Sequence, residues 1–279
     1  MNYGVIVFLT DQTVRPAELG RAVEDRGFES IWIGEHSHIP VATRSPWPGG
    51  PVYPESYRRF VDAFVSLSAM AGVTSRLKLG TCITLVPARD PIILAKQVAS
   101  LDYVSKGRVL FGIGGGWNLE EIANHGIDPV QRWKVMRERI LAMKEIWTKD
   151  AAEYHGKSVN FDPIWSWPKS VQKPHPPILV AGEGEYALRR VVDYGDGWMP
   201  ILGRSSGPIE ASIRRLNELA EAAGRDSIPI SVVRVPPDPA GIERMRAAGV
   251  SRAVFGLNVG PNLDATLSHL DQLAKLIEG

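Results

Sequence analysis

The strongest constraint in this chain is an alternation. Apolar, β-branched runs and amphipathic stretches take turns from one end to the other, a pattern expected of parallel strands joined by helical crossovers. Eight strand segments are read at Tyr3–Phe8, Ser30–Glu35, Leu77–Leu85, Arg108–Ile113, Ile178–Ala181, Gly197–Leu202, Ile230–Val235 and Arg252–Leu257. Each is followed by a helical pattern, over Pro16–Arg26, Arg59–Ala71, Pro91–Ser105, Trp133–Thr148, Glu185–Tyr194, Pro208–Ala223, Pro239–Ala248 and Asn262–Ile277. Pro16, Pro91, Pro208 and Pro239 fall where a first helical turn begins, where a missing N–H costs nothing. Gly27, Gly72, Gly107, Gly195, Gly224 and Gly249 fall just past helix ends, where a left-handed residue is wanted.

Eight units in 279 residues average roughly 35 residues each, the size and number of a (β/α)8 barrel, whereas a doubly wound sheet more often stops at about five or six strands. The expected fold class is α/β, a (β/α)8 TIM barrel, with residues 1–279 forming a single domain. Two insertions break the rhythm. The first, Ser37–Tyr57, follows strand two and interleaves five prolines with Trp47, Tyr53 and Tyr57; the second, Lys149–Pro177, follows helix four and holds a hairpin near Glu153–Asp162, then Trp165 and Trp167. If both stand at the C-terminal barrel face they are walls for a flat apolar ligand; otherwise they cover barrel edges or subunit contacts.

Charge narrows the function classes. Lys+Arg 32 against Asp+Glu 31 leaves a formal charge of +1, which lacks the broad positive field of a protein that works on nucleic acid or an anionic membrane. No apolar stretch approaches the roughly 20 residues that span a bilayer, and the chain enters a strand at once without a basic leader, so a cytoplasmic protein acting on a small molecule is expected. Cys82 is the only cysteine, and the six histidines lack metal-like spacing, so neither an intrachain disulfide nor a metal site is expected.

Three local motifs carry chemistry. Gly182-Glu183-Gly184-Glu185-Tyr186-Ala187 has the wording of a dinucleotide fingerprint, but it follows the fifth strand and no acid ends the next one. What remains is a glycine turn feeding a helix N-terminus, either an anion site or simply a tight turn. At the end of strand four, Gly114, Gly115 and Gly116 precede Trp117 and let a planar ligand approach the backbone closely. Strand two ends in Glu35-His36, and a histidine there is either an acid/base group or a structurally bonded ring. Cys82, ending strand three, reads as a small packing residue rather than a nucleophile.

Taken in order, these blocks resemble the luciferase-like monooxygenase superfamily, and within it the oxidoreductases that use the deazaflavin coenzyme F420. The likeness runs through Gly27-Phe28-Glu29-Ser30-Ile31-Trp32 to Glu35-His36, Leu79-Gly80-Thr81, Ala95-Lys96-Gln97, Gly107-Arg108-Val109, Gly112 to Asn118, Pro174 to Ile178, Ala187-Leu188-Arg189-Arg190 and Gly195-Asp196-Gly197-Trp198. It implies a barrel with the cofactor ring in its C-terminal mouth, backed by a non-prolyl cis peptide at Cys82–Ile83. It also implies cofactor contacts from Cys82, Ile83, Thr84, Gly114, Gly115, Gly116 and Trp117, with backbone donors to phosphate at Gly182, Glu183 and Gly184. His36 would sit by ring and substrate as the catalytic proton carrier, Glu35 would orient its surroundings, and the protein would be a homodimer.

The activity so implied is hydride transfer between F420 and a sizeable apolar or planar substrate. An FMN-dependent monooxygenase is the alternative, and a non-catalytic flavin- or deazaflavin-binding protein a third. Deazaflavin-dependent sugar-phosphate dehydrogenases carry an acid where this chain has Trp117, which disfavours that substrate.

Overall fold

The computed structural model describes residues 1–204 and 207–278. Eight parallel strands, β1 (Asn2–Val7), β2 (Ser30–Ile33), β3 (Lys78–Thr81), β4 (Val109–Gly114), β5 (Ile178–Ala181), β6 (Gly197–Met199), β7 (Ser231–Val233) and β8 (Arg252–Gly256), form one curled sheet. Its order is β7-β8-β1-β2-β3-β4-β5-β6. Parallel bridges Trp198–Ile230 and Ile201–Val233 join the two ends, so the sheet is a nearly closed barrel.

Outside it lie α1 (Pro16–Asp25), α2 (Ala63–Ala71), α3 (Pro91–Val104), α4 (Arg132–Thr148), α5 (Glu185–Tyr194), α6 (Ile209–Ala222), α7 (Pro239–Ala247) and α8 (Leu263–Lys275). Pro16, Pro91 and Pro239 open their helices, while Pro208 stands one residue outside α6 as its N-cap. Gly27, Gly107, Gly224 and Gly249 adopt positive φ as expected. Gly72 stays right-handed and Gly195 extended, so those two helices end without a left-handed residue.

Side-chain alternation divides the core in two. Outward residues such as Val5, Ile31, Leu79 and Phe111 are buried with the inner faces of the helices, including Leu19, Leu67, Val98 and Ile140. Inward residues Ile6, Trp32, Leu110, Leu179, Met199, Val233 and Val254 fill the barrel. The register puts Ile6, Trp32, Gly80 and Leu110 side by side around one layer. Gly80 is required there by volume: a Cβ would lie 2.3 Å from the fully buried Trp32 indole.

The structure corrects several sequence expectations. The Cys82–Ile83 peptide bond is cis, as the resemblance implied, but strand three, expected to run unbroken over Leu77–Leu85, is interrupted there, and pairing to β4 resumes only at Thr84–Leu85. The ladder runs Gly80 against Leu110 and then Thr84 against Ile113, four residues facing three, so one residue is looped out at this point. Helix two starts at Ala63 rather than Arg59, because Phe60 pairs with Thr10 and Asp62 caps the Val65 N–H. The second insertion forms its hairpin, Ala151–His155 with Asn160–Trp165, but on the opposite rim from the one expected for an active-site wall. It joins the C-terminus of α4 to the N-terminus of β5, and in a parallel barrel both lie at the strands' N-terminal end. Gln172 donates to the carbonyl of Val109, the first residue of β4, and Trp165 and Trp167 are exposed on that side.

Candidate active site

The C-terminal ends of the strands converge on a cavity of about 360 Å³. Its floor is apolar: Ile6, Cys82, Ile83, Met199 and Val233 reach it from four strands or their continuations. The first insertion closes one side, as expected. Phe8 stacks on Phe60 at 5.3 Å, Tyr57 lies 5.0 Å from Phe60, and Trp47 meets Tyr57 edge-on at 5.6 Å.

His36 stands in this aromatic wall, its side chain 6% exposed. Its Nδ1 lies 2.6 Å from a carboxylate oxygen of Glu121, and the Trp117 indole N–H donates to its Nε2 at 3.1 Å. An indole nitrogen only donates, so Nε2 is the bare, accepting nitrogen and Nδ1 carries the proton toward Glu121. Glu121 is buried, and its other oxygen accepts from the Ser37 N–H and hydroxyl. A neutral imidazole with a carboxylate behind it is the arrangement that lets one ring nitrogen take up or return a proton while the charge formed is compensated.

Glu121 was not singled out from the sequence. It belongs to a short helix, Leu119–Asn124, whose Asn118 cap accepts from the Glu121 N–H at 2.9 Å. The signal present was the helix start itself, Asn118 followed three residues later by an acid. Glu35 was expected to orient the surroundings of His36; the imidazole itself is held by Glu121. Glu35 turns the other way, accepting from Arg89 Nε at 2.5 Å and from the Leu85 N–H at 3.0 Å. It thereby pins the segment that follows the cis peptide. Burial pushes the Glu35 carboxyl above the usual carboxylate range, against the pull of Arg89.

The cofactor positions read from the sequence divide. Cys82, Ile83, Gly114, Gly115, Gly116, Trp117, Gly182 and Glu183 line the cavity; Thr84 and Gly184 do not. Thr84 is fully buried in the short strand that continues β3. Two of the three successive glycines make room for protein rather than ligand. A Cβ on Gly114 would lie 2.8 Å from Ile83 and one on Gly115 2.7 Å from Trp133, so those side chains are what approaches the backbone. Burial pushes the Cys82 thiol up to about 12, with Arg204 and Arg234 opposing the rise, which keeps it an uncharged packing group at neutral pH.

At α5, Gly184 has φ 81 and offers no side-chain cap, so the first N–H groups of the helix lack a side-chain acceptor. The Trp198 indole donates to the Gly182 carbonyl and Glu183 accepts from the Ile201 N–H, which fixes the turn. Arg190 lines the cavity with its guanidinium 3.9 Å from the Trp133 ring centre, and burial lowers its pKa. An apolar slot floored by the looped segment, beside an uncapped helix start and an arginine, fits a planar ring carrying a phosphate-bearing tail.

Among the described residues no helix is long and apolar enough to cross a membrane. In overall fold the chain is similar to the monooxygenase RslO1 from Streptomyces bottropensis, with a TM-score of 0.79 at 20% identity, covering 100% of this chain and 99% of that one. It is similar also to an F420-dependent secondary alcohol dehydrogenase in complex with an F420-acetone adduct, with a TM-score of 0.77 at 20% identity, covering 99% and 98%. In sequence it is 38% identical to an uncharacterized protein of Mycobacterium tuberculosis over 279 residues, 98% of each chain. The model of one family, luciferase-like monooxygenase, matches residues 11–236, and the chain belongs to that family.

Proposed function

We propose that the protein is an F420-dependent oxidoreductase that exchanges a hydride between the deazaflavin ring and an organic substrate lying against it in the barrel mouth. The observation that carries this reading is the Trp117–His36–Glu121 chain at the wall of an apolar cavity. Hydride exchange with an organic molecule leaves a proton to be supplied or removed, and His36 is a ring built to do so. F420, when bound, supplies a two-electron carrier that does not activate dioxygen. The relatives support the class: one solved neighbour is an F420-dependent alcohol dehydrogenase, and a 5,10-methylenetetrahydromethanopterin reductase of Methanopyrus kandleri is 27% identical over 252 residues.

Each part of the site has a task in this reaction. Gly182 and Glu183, the start of α5 and Arg190 would hold the cofactor's phosphate. Ile83 and Cys82 would back the ring, and Tyr57, Phe60 and Trp117 would exclude water from it. Nε2 of His36, released from the Trp117 N–H by an entering substrate, takes the proton of a group being oxidised or returns one to a group being reduced. Glu121 stabilises the imidazolium in between.

The test has two arms. The purified protein is titrated with F420 and with FMN, and the His36→Ala variant is titrated alongside and assayed for turnover. F420 binding, with turnover lost in the variant while affinity is kept, is the expected result. Tight FMN binding without F420 binding makes the protein a flavin monooxygenase; F420 binding without exchange against any redox partner makes it a binding protein.

A further inference from the structure

The cavity wall carries more positive charge than a single cofactor phosphate requires. Arg190, Arg204 and Arg234 line it, against the acids Glu35 and Glu183. Glu35 is neutralised by Arg89, leaving three cations facing one carboxylate. Arg190 stacks on Trp133 beside the start of α5, the place proposed above for the cofactor phosphate. Arg204 and Arg234 make no ion pair among the described residues and are exposed at the mouth.

Their position in the barrel matters. Arg204 follows β6 and Arg234 follows β7, whereas His36 follows β2. In an eight-stranded barrel β2 and β6 are four strands apart, which is opposite. A molecule whose reacting end lies at His36 therefore points its other end at the two arginines. Arg234 carries a second sign of purpose. Its backbone φ is 62, a left-handed conformation rare for any residue with a side chain, held between the Val233 N–H on Pro200 and the Val235 N–H on Val254. Glycine takes this turn without cost, so the guanidinium rather than the turn accounts for the residue. Both charges are also felt at the Cys82 thiol beneath the cavity.

We propose that Arg204 and Arg234 recognise the anionic group of the substrate, so that the pocket takes an amphipathic anion: an apolar or planar body bearing a carboxylate, sulfonate or phosphate. This deepens the function proposed above and rests on the cavity holding cofactor and substrate together. The apolar floor takes the body, and the guanidinium pair takes the anion by charge-assisted hydrogen bonds. The same anion chemistry could come from the acidic tail of the cofactor, and the experiment separates the two sources.

The probes are naphthalene-2-carboxylate and its neutral twin naphthalene-2-carboxamide, titrated by calorimetry into the cofactor-free protein and into protein loaded with whichever of F420 or FMN it binds. The loaded wild type is expected to bind the carboxylate at least about tenfold more tightly than the amide. Arg204→Gln and Arg234→Gln each reduce that preference to within about twofold, Arg234→Lys restores part of it, and cofactor affinity in all three stays within about threefold of wild type. Equal binding of the two probes by wild type overturns the proposal. So does a loss of cofactor affinity in the glutamine variants as large as the loss of probe preference, which would assign the arginines to the cofactor tail. If neither cofactor binds but the free protein discriminates between the probes through these arginines, the anion reading stands and the cofactor reading falls.

Discussion

Replacing Arg89 by methionine removes the partner of a carboxylate that the fold has taken out of water. The Glu35 side chain is 6% exposed and that of Arg89 18%, so the pair lies far from the solvent-screened regime of surface ion pairs. Once Arg89 is gone, Glu35 keeps one donor, the Leu85 N–H at 3.0 Å. Removing one partner of a buried pair typically costs about 3–5 kcal/mol, mostly because an unpaired charge stays behind. Asp62 also loses its contact with Arg89, but 42% of its side chain is exposed and water replaces the guanidinium at small cost.

For a chain of this size the loss corresponds to a fall in Tm of about 6–15 °C. The pH dependence follows from the direction of the Glu35 shift. Burial raises its folded-state pKa, so the folded protein holds that proton more tightly than the unfolded chain. Stability from this group is therefore full below the unfolded value and is lost as pH rises through the folded one. Without Arg89 the folded value rises further, so the variant's deficit against wild type is largest at neutral and alkaline pH and shrinks as pH falls toward the ordinary carboxylate range. Urea and thermal unfolding of wild type, Arg89→Met, Glu35→Gln and the double variant at pH 5.5 and 8 measure it. The double variant should recover most of the loss. A deficit below about 1 kcal/mol, the same deficit at both pH values, or a double variant no more stable than Arg89→Met would refute the reasoning.

Three other outcomes follow. Both Glu121 oxygens only accept, so Glu121→Gln sets an amide N–H2 against either the His36 Nδ1–H or the Ser37 donors. A cost of about 1–3 kcal/mol is expected, and nitrogen NMR of the His36 ring loses the pure Nδ1–H pattern if the amide turns its N–H2 to His36 and keeps it if the N–H2 faces Ser37; a wild-type ring protonated at Nε2 excludes the assigned tautomer. With its thiol at about 12, Cys82 should react with iodoacetamide at pH 7.5 at least about a hundredfold more slowly than free cysteine and speed up steadily through pH 10. A plateau near pH 8.5 contradicts this. Gly115→Ala drives a methyl to within 2.7 Å of Trp133, and Arg190 stacks on that ring, so cofactor affinity should fall about tenfold with a folding loss of about 1–3 kcal/mol. Unaltered affinity would show that the Trp133–Arg190 stack is not part of the tail site.

The barrel was legible because period-two strands and helical stripes repeat eight times, and a parallel sheet of that count has one economical closure. Strand boundaries were legible where a glycine or proline marks them, as at Ile178–Ala181, and not at Cys82–Ile83, where the looped-out residue depends on which partner β4 offers across the ladder. Of the site, His36 was visible because it sits at a strand end. Glu121 was not, because its role depends on a turn that folds a short helix back over β2, 85 residues away in sequence. The arginines escaped for a related reason: charge counted along the chain is nearly balanced, whereas the excess exists only where loops after β5, β6 and β7 meet. The aromatic content of the second insertion left its rim open; its connectivity, helix end to strand start, decides it.

That hairpin makes the molecule two-ended in a practical sense. The cavity opens at one pole, while Ala151–Trp165 projects from the other, anchored to α4 through Glu138 and the Ser158 N–H. A fluorophore, an affinity tag or a surface tether grafted at its Gly156–Lys157 tip would hold the molecule by its back with the cavity mouth facing outward. Each pole can then be redesigned without consulting the other.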